Sequence, residues 1–263
     1  MTATATAVNP VSDPLHRPGP RPLRGHRRRD LERQLTDPRM ETPMRLGLIH
    51  TSATLVDVFA KLCAEHLPGV GTFNIVDDSL IKNTIAAGRL TPQTARRVAG
   101  HVGSAEAAGA DHILVTCSSI GAAVEAAEPL TGVPVTRVDR PMADRAVALG
   151  RRIGVLATLN TTLEPTADLV RRRAAAAGKE IELTARVCEG AFEALMTGDA
   201  ATHDARVAQA LRELSGNVDV VVLAQASMAR VAGAVPATTP ILASPPLAME
   251  HLAGEILGDR ARR

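Results

Sequence analysis

Aromatic residues are almost missing from this chain: its 263 residues include three Phe, no Tyr and no Trp. A core without aromatics has to be filled by Ala, Val, Leu and Ile, which suits buried parallel strands covered by Ala-rich helices. The same scarcity argues against single-stranded nucleic-acid binding, which relies on aromatic stacking platforms. Cysteine is scarce too. Three thiols in a chain this long make no disulfide framework, so a reducing, cytoplasmic setting is expected. No apolar run reaches the ~18 residues of a membrane span, and no apolar h-region follows the N-terminus. Neither a membrane partner nor a secretory signal is therefore expected. The formal charge of +2 is too near neutral to imply a polyanionic partner. There is no glycine-rich phosphate loop, no dinucleotide fingerprint and no His/Cys cluster at metal-ligand spacing. No cofactor and no metal are expected.

What is present is unevenly spread. Residues 1–43 hold eight Arg and five acidic residues, 8 − 5 = +3, which leaves 2 − 3 = −1 for the rest; they also hold seven of the 17 prolines. Such a segment is expected to be a disordered basic tail, dispensable for the fold. Its Arg27-Arg28-Arg29 run reads as a solvated stretch in preference to a nucleic-acid patch.

From Met44 the pattern changes. Aliphatic runs predict strands over 45–50, 72–76, 112–116, 133–138, 152–157, 181–187, 218–223 and 240–242. Amphipathic stretches predict helices over 55–66, 80–87, 92–107, 120–127, 141–149, 163–177, 191–196, 203–214, 228–232 and 247–257. This alternation argues for βαβ units and parallel sheets.

The sequence then repeats itself. Leu46-Gly47-Leu48-Ile49-His50-Thr51 matches Ile153-Gly154-Val155-Leu156-Ala157-Thr158 at an offset of 107. Gly88 matches Gly198 at 110, Asp111–Val115 matches Asp219–Leu223 at 108, and Pro134 matches Pro240 at 106. The period is too long for a solenoid. It predicts an α/β protein of two similar lobes, each a parallel sheet flanked by helices, related by pseudo-twofold symmetry. The expected boundaries are 44–150 and 151–263, with exchange of the C-terminal helix left open. Ligands of open parallel sheets sit beyond the carboxyl ends of the strands, so two facing lobes place one site between them.

Those ends are polar. Thr51, Ser52, Asp77, Ser118 and Ser119 lie there in the first half, and Thr158, Asn160, Thr161, Gln225, Ser227 and Ser244 in the second. Hydroxyl and amide groups beside free backbone N–H groups suit a small carboxylate. Cys117, between a strand and a helix, is the candidate acid/base. Unpaired N–H groups at such a turn favour thiolate, and a thiolate of matched pKa moves protons at carbon. The alternative is a small buried hydrophobe, which its Thr116-Cys117-Ser118-Ser119 context fits poorly. Cys188, matched to Asp78 by the Gly88/Gly198 register, is a second, weaker candidate at the rim. Cys63 reads as core. His50 is expected to be structural, or else to polarise a carbonyl or pair with Asp77 or Asp78. Asp77 and Asp78 serve equally well as caps for the next helix. Arg171-Arg172-Arg173 reads as a solvated helix face, and His203 and His251 as surface or helix positions.

Ile113-Leu114-Val115-Thr116-Cys117-Ser118-Ser119 resembles the first cysteine motif of the aspartate/glutamate/hydantoin racemase superfamily. Residues 153–161 are similar to the strand and polar loop that open its second half, and the resemblance spans about Arg45 to Leu257. It implies a cofactor-independent enzyme acting at a carbon next to a carboxylate, with two cysteines on opposite faces of the substrate. Here the second cysteine is replaced by Gln225, matched to Cys117 at an offset of 108. Glutamine is no acid or base in water, but it hydrogen-bonds a carboxylate. Amino-acid racemisation is the function the resemblance implies first. A one-thiol decarboxylase, like the similar arylmalonate decarboxylases, and a dicarboxylate cis–trans isomerase, like the related maleate isomerases, are alternatives. A non-catalytic binding protein is another, and a homo-oligomer is left open.

Overall fold

Within 44–262, a computed structural model describes all residues except 234, 236 and 237. The expected tail, residues 1–43, lies outside the described residues. The first half runs β1 (Arg45–His50), α1 (Thr54–His66), β2 (Gly71–Val76), α2 (Ser79–Ala87), α3 (Pro92–Ala107), β3 (His112–Val115), α4 (Gly121–Ala127), β4 (Val135–Arg137) and α5 (Arg140–Leu149). The second runs β5 (Arg152–Ala157), α6 (Asn160–Ala176), β6 (Glu182–Val187), α7 (Ala191–Met196), α8 (Ala200–Ser215), β7 (Val220–Leu223), α9 (Ala229–Ala232), β8 (Ile241–Ala243) and α10 (Ser244–Arg262). Short 3-10 turns, Ser118–Ile120 and Ala226–Met228, lead from β3 into α4 and from β7 into α9.

Two four-stranded sheets result, ordered β2-β1-β3-β4 and β6-β5-β7-β8. All their pairings are parallel. The repeat is thus a structural duplication. Registers agree in detail: Leu46 pairs with His112 as Ile153 pairs with Val220. This alignment keeps Cys117 opposite Gln225 in the duplication.

Alternation along the strands sorts the core. In the first lobe Leu46, Leu48 and Leu114 face one helical layer, while Ile49, Ile113 and Val115 face the other. In the second, Ile153, Val155, Val220 and Val222 face one side and Leu156, Val221 and Leu223 the other. Gly154 in the middle of β5 has a packing reason. A Cβ there would lie 2.8 Å from Leu214 Cδ2 of α8, so only glycine lets that helix settle on the sheet.

The last helix of each half crosses over. Met142, Ala143, Ala146 and Val147 of α5 pack into the core of the second sheet. Ala248, Met249, Leu252 and Ile256 of α10 pack with Leu46, Leu48, Phe59 and Leu114 of the first. Each lobe therefore completes its core with a helix from the other half of the sequence.

Several helices begin earlier than hydrophobic periodicity predicts. α6 starts at Asn160 in place of Leu163, and α10 at Ser244 in place of Leu247. Their first turns are polar or proline-containing. Such residues are tolerated there because the first N–H groups have no intrahelical partner. The expected polar loop after β5 is therefore mostly the first turn of a helix.

Candidate active site

Cys117 follows β3 in an extended conformation, φ −128° and ψ 117°, and is the N-cap residue of the 3-10 turn Ser118–Ile120. It is half-buried and packs against the core of the first lobe. Burial is the largest influence on its thiol and pushes the pKa up. Hydrogen bonds with the Thr51 side chain, the Ser119 and Ile120 N–H groups and the Ser119 hydroxyl pull the other way without prevailing. This corrects the expectation of an early-ionising thiol: the turn donors are present, but desolvation outweighs them.

Gln225 occupies the equivalent place in the second lobe, with φ −128° and ψ 140° before the turn Ala226–Met228. Its Oε1 accepts hydrogen bonds from Thr158 N–H at 2.5 Å and from Thr158 Oγ1 at 2.9 Å. Thr158 was expected to hold substrate; both its backbone donor and its hydroxyl are spent on Gln225. Thr51 is its counterpart by the 107-residue offset. Thr51 contacts Cys117 as Thr158 contacts Gln225.

The two lobes meet at these strand ends. Ser119 Oγ and Thr162 Oγ1 are 2.8 Å apart and both buried, joining the turn after Cys117 to the first turn of α6. Ser118 is buried in the same turn. Thr161 Oγ1, one residue before Thr162, is buried with no hydrogen-bond partner among the described residues. A buried hydroxyl without a partner costs about 1–3 kcal/mol. Asn160 is exposed at the start of α6, and Ser227 is half-buried in the turn after Gln225. Ser52 bonds Thr54 Oγ1 at 2.8 Å ahead of α1.

Other candidates have local duties. The Cys188 N–H donates to Ala157 O at 2.7 Å, as Asp77 N–H donates to His50 O at 3.0 Å. Cys188 therefore matches Asp77, one residue off the expected Asp78. The slip matters because neighbouring residues of an extended chain face opposite ways. Cys188 is 4% exposed in the core beside Leu156, Ala191 and Val207, and burial pushes its thiol up to about 11 against a smaller opposing pull from Arg186. Cys63 is buried and likewise pushed up to about 11.

Asp77 has its carboxylate oxygens engaged locally. Its Oδ1 accepts from Ser79 N–H at 3.1 Å and Ser79 Oγ at 2.6 Å, and its Oδ2 accepts from Arg97 Nη2 at 2.5 Å and meets His101 Nε2 at 2.8 Å. Burial raises its pKa, but Ser79, His101 and Arg97 together carry it down to about 2. It accepts the first N–H of α2 from one residue before the N-cap Asp78, and its oxygens are occupied. His50 pairs with neither aspartate. Its Nδ1 lies 2.9 Å from Thr116 Oγ1 and its Nε2 2.8 Å from Asn74 Oδ1, and burial lowers its pKa against the Asn74 hydrogen bond. His203, read as a surface or helix position, lies in α8 and is fully buried.

Sequence reading missed the charged group at the end of β4. Arg137, 1% exposed, forms two hydrogen bonds with the fully buried Asp139, 2.7 and 2.9 Å, and reaches Glu125 at 3.0 Å. Burial opposes its charge, and Asp139 and Glu125 more than offset it. The guanidinium lies against Gly121, just after the Cys117 turn; a Cβ there would come within 2.3 Å of Cζ. Glu125 also pairs with Arg172 of α6 at 3.1 Å; Arg171 and Arg172 are exposed, as expected of a solvated helix face. The available signal was an arginine inside an otherwise aliphatic strand, which needs a partner wherever the strand is buried.

Among the described residues no group of three or more His, Cys, Asp or Glu side chains converges as a metal site, and no helix is long and apolar enough to cross a membrane. No curated protein matches the chain by sequence. Solved structures share its fold. A glutamate racemase isoform from Bacillus anthracis is 16% identical, with TM-score 0.63 and coverage of 83% of this chain and 84% of that one. An allantoin racemase from Klebsiella pneumoniae is 17% identical, with TM-score 0.60 and coverage of 82% and 89%. An aspartate racemase from Picrophilus torridus is 14% identical, with TM-score 0.61 and coverage of 80% and 94%. The sequence profile of the Asp/Glu/hydantoin racemase family matches residues 46–252, and the chain belongs to that family.

Proposed function

We propose that the protein is a cofactor-independent enzyme that transfers a proton at the carbon α to the carboxylate of an amino acid or related small acid, with Cys117 as the acid/base group. The observation that carries this reading is the setting of Cys117: a half-buried thiol at a strand end, contacted by Thr51 and by the donors of its own turn. A thiol so placed gives its proton to a carbanion, and the turn donors stabilise the thiolate left behind. Thr161 and Ser227 supply hydroxyls for substrate oxygens.

Family membership favours racemisation. Gln225 favours a second reading, a one-thiol lyase of the decarboxylase kind. Racemisation needs an acid/base on each face of the carbon; here the second position holds an amide, and Cys188 is buried in the core. In the lyase, the bond from Cα to one carboxylate breaks, carbon dioxide leaves, and its electron pair forms an enediolate with the remaining carboxylate. Cys117 then protonates Cα and regains its proton from water.

Incubation in D₂O with D- and L-amino acids, hydantoins and substituted malonates tests both. Deuterium at Cα with loss of optical activity supports a racemase. Carbon dioxide release with one deuterium and one enantiomer supports the lyase. Turnover that persists in Cys117→Ser contradicts both.

A further inference from the structure

Gln225 is more than a missing thiol. Two donors of Thr158 hold its Oε1, and because the amide is planar this also fixes where Nε2 points. Nε2 has no hydrogen-bond partner among the described residues. Thr51 and Thr158 are equivalent in the duplication, so the same threonine contacts a thiol in one lobe and the carbonyl oxygen of a neutral amide in the other.

We infer that Gln225 holds the negative charge of the substrate opposite Cys117, with Thr158 as its positioning residue. This rests on the proposed function and gives it a polarity: the first lobe exchanges the proton and the second binds the anion. The ligand class is a small carboxylic acid whose carboxylate accepts from Gln225 Nε2 while its α carbon faces Cys117 Sγ. An amide already oriented by the fold stabilises charge that develops on that carboxylate without reorganising. It cannot deliver a proton to the opposite face.

Two alkylating probes of similar size test this without a known substrate. Iodoacetate carries a carboxylate next to its reactive carbon; iodoacetamide is neutral. Sγ displaces iodide from either, and the ratio of the two rates cancels the fraction of thiolate. Labelling is read at Cys117 by peptide mass spectrometry. The inference predicts an iodoacetate-to-iodoacetamide ratio about tenfold above that of free cysteine, the scale of one charge-assisted hydrogen bond. Gln225→Glu keeps the shape and an oxygen for Thr158 but replaces the donor with an anion. It should lower the ratio by about tenfold or more. Thr158→Val should lower the ratio with the iodoacetamide rate unchanged, and Thr158→Ser should restore it. A ratio unmoved by Gln225→Glu overturns the inference. So does a Cys117 that resists both probes in the folded chain, because the donor then faces no accessible space. The ratio does not depend on turnover, so it fails independently of the assignment of Cys117 as acid/base.

Discussion

Cys117 shows two opposing forces on one atom. The N–H groups of Ser119 and Ile120 and the hydroxyls of Thr51 and Ser119 favour its thiolate, yet burial prevails and the pKa rises. The pH profile of iodoacetamide labelling at Cys117 should therefore have its midpoint above the ordinary thiol value of about 8.5. A midpoint below 8.5 would mean the turn donors win. The thiol and its partner position were legible because both stand at the same point of a repeated strand–turn motif. The core placement of Cys188 was not. It depends on a one-residue difference in loop length between the lobes, and a glycine match cannot resolve that. The balance between donors and desolvation at Cys117 was illegible for a similar reason, since sequence shows the turn but not how deeply it is packed.

Among the elements, the ends of β4 and α4 carry a structural commitment that the chain order hides. Asp139→Ala would leave the buried Arg137 guanidinium without its main partner. It should cost about 3–5 kcal/mol in urea unfolding, as broken buried pairs do. Gly121→Ala forces a Cβ to within 2.3 Å of Arg137 Cζ and should cost about 1–3 kcal/mol by overpacking. Both variants staying within about 0.5 kcal/mol of the parent would show that the pair is not a structural anchor. Strand and helix order was readable from periodicity alone, since aliphatic runs and amphipathic stretches differ clearly in period. Helix starts were not, because Asn160 and Ser244 carry no apolar stripe and owe their place to the free donors of a first turn. The hydrogen-bonded Asp77 carboxylate belongs at this scale too. Its pKa of about 2 lies below the unfolded value near 4. Its contribution is complete above about pH 4 and is lost as pH falls toward 2. Asp77→Asn should flatten the decline of melting temperature over that window.

At the scale of the molecule, the exchange of α5 and α10 makes the halves interdependent. Residues 44–150 alone lack the α10 side chains that cover Leu46, Leu48, Phe59 and Leu114. That fragment should show no cooperative unfolding transition by circular dichroism, whereas 44–263 should unfold in one. A fragment that melts cooperatively would mean that the lobes are independent domains. Duplication of the fold was visible in the sequence through Gly47 and Gly154 and the matched aliphatic runs, but the exchange was not, because nothing in the apolar face of α10 names the sheet it covers. The duplication also makes the asymmetry of the site meaningful: one scaffold, used twice, presents a thiol on one side and an amide on the other. The most direct test of this account is deuterium incorporation from D₂O at the α carbon of the substrate found by screening, followed by proton NMR for the parent chain and for Cys117→Ser. The account predicts deuterium at that carbon with the parent chain and a loss of more than about a hundredfold in rate for Cys117→Ser, the low end of what general acid catalysis contributes. Incorporation at an equal rate in a folded Cys117→Ser chain would contradict it.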